Sequence, residues 1–140
     1  MRCALDLQMV AKVKAEENTK AELLRRQKED IARRARTIEF CEKLGKELEK
    51  KAESGNTPTI SFDCQVNNFP RLLIATRKEY ADGRISHYAV GASLDLNLIS
   101  EWFAQYCFEV VCHKAWTWNY GFGKDSYYRV TISPEPECIQ

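Results

Sequence analysis

The segment from Thr19 to Ser54 constrains the fold most, because its composition is typical of one long, heavily charged α-helix. It contains no proline, and no glycine before Gly45. Thr19 and Glu22 have the spacing of a capping box, which predicts the start of the helix at Thr19. Gly55 can adopt the left-handed conformation that ends a helix, so it predicts the end. Acidic residues repeatedly precede basic ones by four positions, an order that stabilises a helix by roughly 0.2–0.5 kcal/mol for each pair.

A shorter helical segment is predicted ahead of this helix. Leu5, Met9 and Val13 recur every four residues, which indicates an amphipathic helix. The segment either continues into the long helix or breaks near Asn18. Its apolar face is too small for an amphipathic membrane anchor.

A thin apolar stripe runs along the middle of the long helix. Leu24, Ile31 and Ile38 recur with a period of seven, but the other heptad core position carries Gln27 and Arg34. A two-stranded coiled coil requires apolar residues at both positions, so a long zipper is not expected. A second copy of the chain could still bury the stripe, and a homodimer through the helix stays an open alternative.

The stripe changes direction after Ile38. The next apolar residues are Cys41, Leu44 and Leu48, and their spacing rotates the apolar surface around the helix. We therefore expect the last third of the helix to pack on the chain's own domain, and the middle part to meet a partner.

Arginines form a second candidate surface on the helix. At about 100° per residue, four of them share the face opposite Ile31, namely Arg25, Arg26, Arg33 and Arg36. Such a face can contact nucleic-acid phosphates. Glu22 and Glu29 lie in the same face and would repel phosphate, so a solvated surface of charge pairs is the alternative interpretation.

From Thr57 onward the hydrophobic pattern changes from helical to alternating. Strands are predicted at residues 59–64, 71–78 and 84–92, and Asp82–Gly83 predicts a hairpin turn with positive φ at both residues. A helix follows at residues 94–107, capped by Asp95 or Asn97. Strands at residues 108–120 and 126–133 flank a second turn.

The sequence therefore predicts an α+β fold with the element order α-β-β-β-α-β-β. A helical arm would occupy residues 1–54, and a compact domain with an antiparallel sheet would occupy residues 55–140. The helix at residues 94–107 is expected to cover one face of the sheet.

An aromatic row is the main candidate binding feature of the domain. Trp116, Trp118 and Tyr120 alternate along one strand and therefore share one face. They are either core residues beneath the helix or an exposed platform that stacks on bases or anchors a protein partner. Lys114 interrupts the apolar face and indicates that the strand leaves the core there, which favours exposure of Trp118 and Tyr120.

Catalytic and metal-binding patterns are missing from the sequence. None of the six cysteines forms a C-x-x-C motif, and structural zinc spacings do not occur, so neither a metal nor a cofactor is predicted. In a reducing cytosol, buried thiols behave as small apolar groups. Cys112 and His113 are adjacent and would point to opposite faces of a strand. A pair formed by Cys112 and His87 across the sheet is the remaining enzymatic alternative.

Composition places few further limits on function. The chain has 140 residues and a net charge of +1, so its overall charge favours neither nucleic acid nor a membrane. No signal peptide is visible, and no run approaches the roughly 20 apolar residues of a membrane span. We therefore expect a cytoplasmic protein.

Together these features predict a non-enzymatic binding protein that engages a larger protein. The expected contact residues are Ile31, Ile38, the four arginines, Trp118 and Tyr120. The combination of elements is similar to that of small inhibitors encoded by phages and mobile elements, anti-CRISPR proteins included, although no motif accompanies this analogy. A nucleic-acid-binding module and, last, a cysteine-dependent enzyme are the alternatives.

Overall fold

A computed structural model of the chain describes residues 1–119 and 123–136 and has the predicted α+β order. Its elements are helix α1 (Ala4–Glu53), strands β1 (Ile60–Asn68), β2 (Arg71–Glu79) and β3 (Ile85–Asp95), helix α2 (Leu96–Ala104), and strands β4 (Phe108–Asn119) and β5 (Gly123–Pro134). Residue contacts divide the chain into two units, Met1–Ala32 and Arg33–Gln140.

Helix α1 begins at Ala4 rather than at Thr19. The Thr19 hydroxyl does not cap a helix; it donates to the carbonyl of Ala15, 2.9 Å away, as a residue in a helix interior does. The predicted start at Thr19 is therefore wrong. Residues 5–18 contain neither proline nor glycine, so nothing ends the first helical segment, and its continuation into the long helix is confirmed.

The end of α1 is the one predicted. Gly55 has a φ of 81°, in the left-handed region. Its N–H donates to the carbonyl of Ala52 at 3.0 Å, and the N–H of Asn56 donates to that of Lys51 at 2.8 Å. These two bonds satisfy carbonyls that the end of a helix leaves without partners, which is why glycine is favoured at this position.

The five strands form one antiparallel sheet in the order β3-β2-β1-β5-β4. Strand β1 lies in the middle and pairs with different neighbours along its length. Its first half, from Ile60 to Cys64, pairs with β5, and its second half, from Cys64 to Asn68, pairs with β2. On its other side, β5 pairs with β4 along its whole length, from Gly123 to Pro134.

One face of the sheet carries the core of the second unit. Alternate residues of the strands point to this face, where they meet buried residues of α1 and α2. The buried members are Cys41, Leu44, Leu48, Cys64, Leu72, Leu94, Leu96, Ile99, Phe103, Val130 and Ile132. The prediction that the last third of α1 packs on the sheet is thus confirmed, and α2 covers the same face, as expected.

A bulge in β3 fixes the position of α1 in this unit. Residues 91–93 of β3 lie opposite the single residue Leu73, and Gly91 supplies the positive φ, 77°, that the bulge requires. Just beyond the bulge, the fully buried Thr37 hydroxyl accepts the N–H of Asp95 at 3.0 Å and donates to the carbonyl of Arg33 at 2.7 Å. Asp95 also caps α2 by accepting from the N–H of Leu98, which confirms the first of the two predicted caps.

The turn between β2 and β3 lies where it was predicted but has a different conformation. The N–H of Gly83 donates to the carbonyl of Tyr80, and the N–H of Tyr80 donates to that of Arg84. Gly83 has a positive φ of 86°, whereas Asp82 does not have one. This is a three-residue loop with glycine in the left-handed position. The expectation of positive φ at both residues is therefore wrong.

Candidate functional site

Trp116 and Trp118 form an exposed aromatic pair at the far end of β4. They pair with Ser126 and Lys124 of β5 and lie on the same face as the core residues Val110 and Cys112. Their side chains are nevertheless 55% and 57% exposed. The core therefore ends near Cys112, as the position of Lys114 predicts. The interpretation of Trp116 and Trp118 as core residues is wrong, and a binding role for this exposed pair stays a prediction. Tyr120, the third predicted member, lies outside the described residues.

The surroundings of this pair are basic. Lys124 Nζ lies 4.6 Å from the centroid of the Trp116 ring, which is within the range of a cation–π interaction. Lys114, two residues before Trp116 on the same strand, is exposed and shares its face. We call Lys114, Trp116, Trp118 and Lys124 the tryptophan patch. It combines two large apolar surfaces with two positive charges.

The predicted arginine face is not a single surface. Arg33 is buried, and its Nε donates to the Ser93 hydroxyl at 3.0 Å. Arg36 is half-buried and donates through Nη2 to the Ser93 carbonyl, also at 3.0 Å. Both therefore bind the bulge of β3. The prediction that Arg33 faces a partner is wrong because Arg33 is buried, whereas Arg36 keeps part of its side chain exposed and stays a predicted contact residue. Helical periodicity alone could not show this, because it does not reveal where the bulge lies.

The other two arginines are exposed and belong to the first unit. Arg25 Nη2 lies 2.6 Å from Glu22 Oε1, and Arg26 Nε lies 3.3 Å from the same oxygen. These contacts lower the pKa of Glu22, chiefly through the hydrogen bond from Arg25. These charge pairs are those that the solvated interpretation expects, and phosphate binding by Arg25 and Arg26 stays a prediction.

The two predicted isoleucines differ in exposure. Ile31, in the first unit, is strongly exposed, whereas Ile38, in the second, is half-buried. Ile31 remains a candidate contact residue, together with the other exposed apolar side chains of its unit.

A buried polar cluster lies on the face of the sheet opposite the helices. His87 Nδ1 and Asp125 Oδ2 share a hydrogen bond of 2.5 Å, and the backbone N–H of His87 donates to the same oxygen at 2.9 Å. The imidazole stacks on the Tyr127 ring with centroids 3.9 Å apart, and its Nε2 lies 3.7 Å from Asp63 Oδ2. Arg129 Nε donates to the other oxygen of Asp63 at 2.9 Å, which raises the pKa of the Arg129 guanidinium.

The imidazole of this cluster is buried. The His87 side chain is only 2% exposed, so a substrate cannot reach the imidazole. Cys112 packs against the core on the opposite face, where its thiol contacts that of Cys64. The sheet therefore separates Cys112 from His87, and the predicted catalytic alternative between them is not formed. The pairing of Asp125 with His87 depends on how the strands are arranged, for which the sequence carries no local signal.

The reactivity of the thiols tests whether Cys41 and Cys64 are buried. Burial raises the pKa of Cys41 and of Cys64 to about 12, so thiolates form there only rarely at neutral pH. Cys3 and Cys107 are exposed. We expect iodoacetamide at pH 8 to modify Cys3 and Cys107 of the native protein at least tenfold faster than Cys41 and Cys64, as measured by peptide mass spectrometry. Equal rates in the native protein would contradict the burial, and equal rates in urea are the control.

An apolar groove lies between the last part of α1 and α2. Its volume is about 550 Å³, and its walls include Leu48, Trp102, Phe103 and Phe108. Gly45 allows Trp102 to approach α1 closely, because a Cβ at that position would lie 3.3 Å from Cη2 of Trp102. A glycine inside a helix is the sequence signal for such a close approach, since glycine otherwise destabilises a helix.

Comparisons with protein-family models, with curated proteins and with solved structures find no match to this chain. Within the described residues, no helix combines the length and the apolar character that a membrane crossing needs. Those residues also contain no group of three or more histidine, cysteine or acidic side chains arranged to hold a metal ion.

Proposed function

We propose that this protein is a non-enzymatic binding protein that engages a larger protein through the tryptophan patch. The observation that carries the proposal is the exposure of Trp116 and Trp118, side by side on one strand face beyond the end of the core. Tryptophan is enriched among the residues that dominate binding energy at protein interfaces. Two of them exposed together form a surface that a partner would bury.

The two lysines define the partner that this patch fits best. Lys114 and Lys124 lie on the same face as the tryptophans, and that face carries no acidic residue in the paired segments 114–118 and 124–128. A partner surface with an apolar pocket and an acidic rim would complement it. Rim charges of this kind act mainly on the association rate and on specificity.

Replacing both tryptophans with alanine is expected to abolish capture of the partner. Truncation of a central interface tryptophan costs about 2 kcal/mol or more, which is about a 30-fold loss of affinity for each residue. The measurement is affinity purification with the tagged full chain from a lysate of the source cell, quantified by mass spectrometry for wild type and for W116A/W118A.

Tyr88→Ala provides the matched control, because Tyr88 is an exposed aromatic residue on β3, at the other edge of the sheet. This variant should retain the partner that wild type captures. Both variants should unfold within about 1 kcal/mol of wild type, since neither site lies in the core. A partner that W116A/W118A still captures at wild-type level would show that the tryptophan patch is not the binding site.

Nucleic-acid binding is the second candidate, and the lysines beside the tryptophans favour it. Single-stranded nucleic acids bind surfaces that combine aromatic rings for base stacking with positive charges for phosphates. A fluorescence titration of the tryptophans with single-stranded DNA and RNA at increasing salt separates the two candidates. Quenching whose affinity falls steeply with salt supports the nucleic-acid module, and no quenching at low salt removes it.

More narrowly, we propose that the protein inhibits the larger protein that it binds. Small inhibitors of this kind are encoded by phages and mobile elements, anti-CRISPR proteins included. This narrower proposal rests on an analogy of architecture alone. Inhibition of the captured partner's own activity by wild type, and its loss in W116A/W118A, would support it.

A further inference from the structure

The unit Met1–Ala32 leaves all of its large apolar side chains exposed. They are Met1, Leu5, Leu7, Met9, Val10, Val13, Leu23, Leu24 and Ile31. Helices in proteins are stabilised mainly by burial of an apolar face rather than by intrinsic propensity. A second helix that covered these apolar side chains would therefore stabilise this part of α1.

Heptad positions along this unit define where a second helix would lie. One core position carries Val10, Glu17, Leu24 and Ile31, and the other carries Val13, Lys20 and Gln27. At about 100° per residue, these positions fall within a band of about 100° on one side of the helix. Asp6 occupies the same position one heptad before Val13. The seam thus has Glu17 and Lys20 at its centre, apolar residues directly on either side of them, and the polar residues Asp6 and Gln27 further out.

We propose that two copies of the chain pair through this seam as a short antiparallel coiled coil, centred between Glu17 and Lys20. In this register Val13 packs against the partner's Leu24, and Glu17 faces the partner's Lys20. The two-fold symmetry repeats each contact. The centre of the seam then consists of two ion pairs flanked on each side by one apolar layer of Val13 and Leu24.

The charge pattern selects this arrangement over the others. A parallel pair would place Glu17 against the partner's Glu17 and Lys20 against the partner's Lys20, which are repulsive contacts between like charges. An antiparallel pair shifted by one heptad would place Leu24 opposite the partner's Asp6 or the partner's Lys20. Among these arrangements, only the proposed register joins Glu17 to Lys20 and Val13 to Leu24 at the same time. It also places Val10 opposite the partner's Gln27 and Ile31 opposite the partner's Asp6.

The complementarity also identifies the second helix as a copy of the same chain. The seam is acidic before its centre and basic after it, so the helix is complementary to itself when its direction is reversed. Two-fold symmetric contacts of this kind are the commonest in homo-oligomers. The inference is independent of the tryptophan patch, which lies in the second unit.

Disulfide crosslinking tests the direction and the register together. Val13→Cys and Leu24→Cys are introduced separately into a chain in which Cys3, Cys107 and Cys138 are replaced by serine. On mild oxidation, a mixture of the two proteins should form a covalent heterodimer, because residues 13 and 24 face each other across the seam at a distance that a disulfide can span. Each protein alone should remain mainly uncrosslinked.

Charge reversal tests the central ion pairs. E17K alone and K20E alone should each weaken the dimer at least tenfold in a concentration series by light scattering, and E17K/K20E should restore it. Circular dichroism at high concentration verifies that each variant remains helical. A disulfide in V13C alone would establish a parallel pair and overturn the proposal. A monomeric wild type at all concentrations would overturn it as well, while leaving the proposed function of the tryptophan patch intact.

Discussion

A Phe103→Ala variant is expected to lose about 3–5 kcal/mol of unfolding free energy, the range measured for large aromatic truncations in protein cores. Phe103 is 1% exposed and lies at the junction of α2 with the sheet. Its ring makes edge-to-face contacts with Phe108, at a centroid distance of 6.1 Å, and with Trp102, at 4.8 Å. Truncation would remove these contacts and leave a cavity next to the apolar groove. Urea denaturation followed by circular dichroism measures the loss.

Phe69→Ala is the matched control for this prediction. Phe69 is the same residue type, but it is 66% exposed, so its truncation should cost less than about 1 kcal/mol. A loss in Phe103→Ala no greater than that in Phe69→Ala would show that α2 does not depend on Phe103 for its attachment to the sheet.

The order of the elements could be predicted from the sequence because each signal for it is local. Alternation of apolar residues marks the strands, and Gly55, Asp95 and Gly83 mark a helix end, a helix start and a turn through their own backbone preferences. The start of α1 was missed for an equally local reason. The spacing of Thr19 and Glu22 also occurs inside helices, where the hydroxyl donates to the preceding turn.

Features that depend on distant residues could not be predicted in this way. Arg33, like the exposed Arg26, belongs to an arginine pair in a charged helical segment, and its burial depends on the bulge at Ser93, 60 residues later. An alternating row such as Trp116 and Trp118 is compatible with a buried strand and with an exposed one. Whether the row is buried depends on how far α2 and α1 extend over β4, which no local pattern encodes.

His87 and Asp125 illustrate the same limit in a polar setting. They belong to strands that are not neighbours in the sheet, and they meet because the sheet curves around this face. Gln65 bridges the space between these strands, since its Nε2 lies within hydrogen-bond distance of the carbonyls of His87, at 3.4 Å, and of Ser126, at 3.3 Å. The polar cluster therefore joins β3 to β5 where β1 no longer pairs with β5.

Breaking this junction is expected to destabilise the second unit. His87→Leu would remove the ring that pairs with the Asp125 carboxylate and stacks on Tyr127, but it would keep the backbone N–H that donates to the same carboxylate. It should cost about 2–3 kcal/mol because a largely buried carboxylate loses its side-chain partner. Asp125→Ala should cost a similar amount, since it removes the acceptor of both His87 hydrogen bonds. Asp82→Ala, in an exposed turn, is the control and should cost less than about 1 kcal/mol.

The double variant His87→Leu/Asp125→Ala distinguishes a coupled pair from two independent sites. If His87 and Asp125 stabilise the sheet through their contacts with each other, the first substitution already removes most of that stabilisation, and the second removes little more. The loss in the double variant should then be smaller than the sum of the two single losses by at least about 1 kcal/mol. Strictly additive losses in urea denaturation would mean that His87 and Asp125 stabilise the sheet separately. The curvature that brings β3 to β5 would then have to depend on Gln65 and on the stacking of His87 with Tyr127.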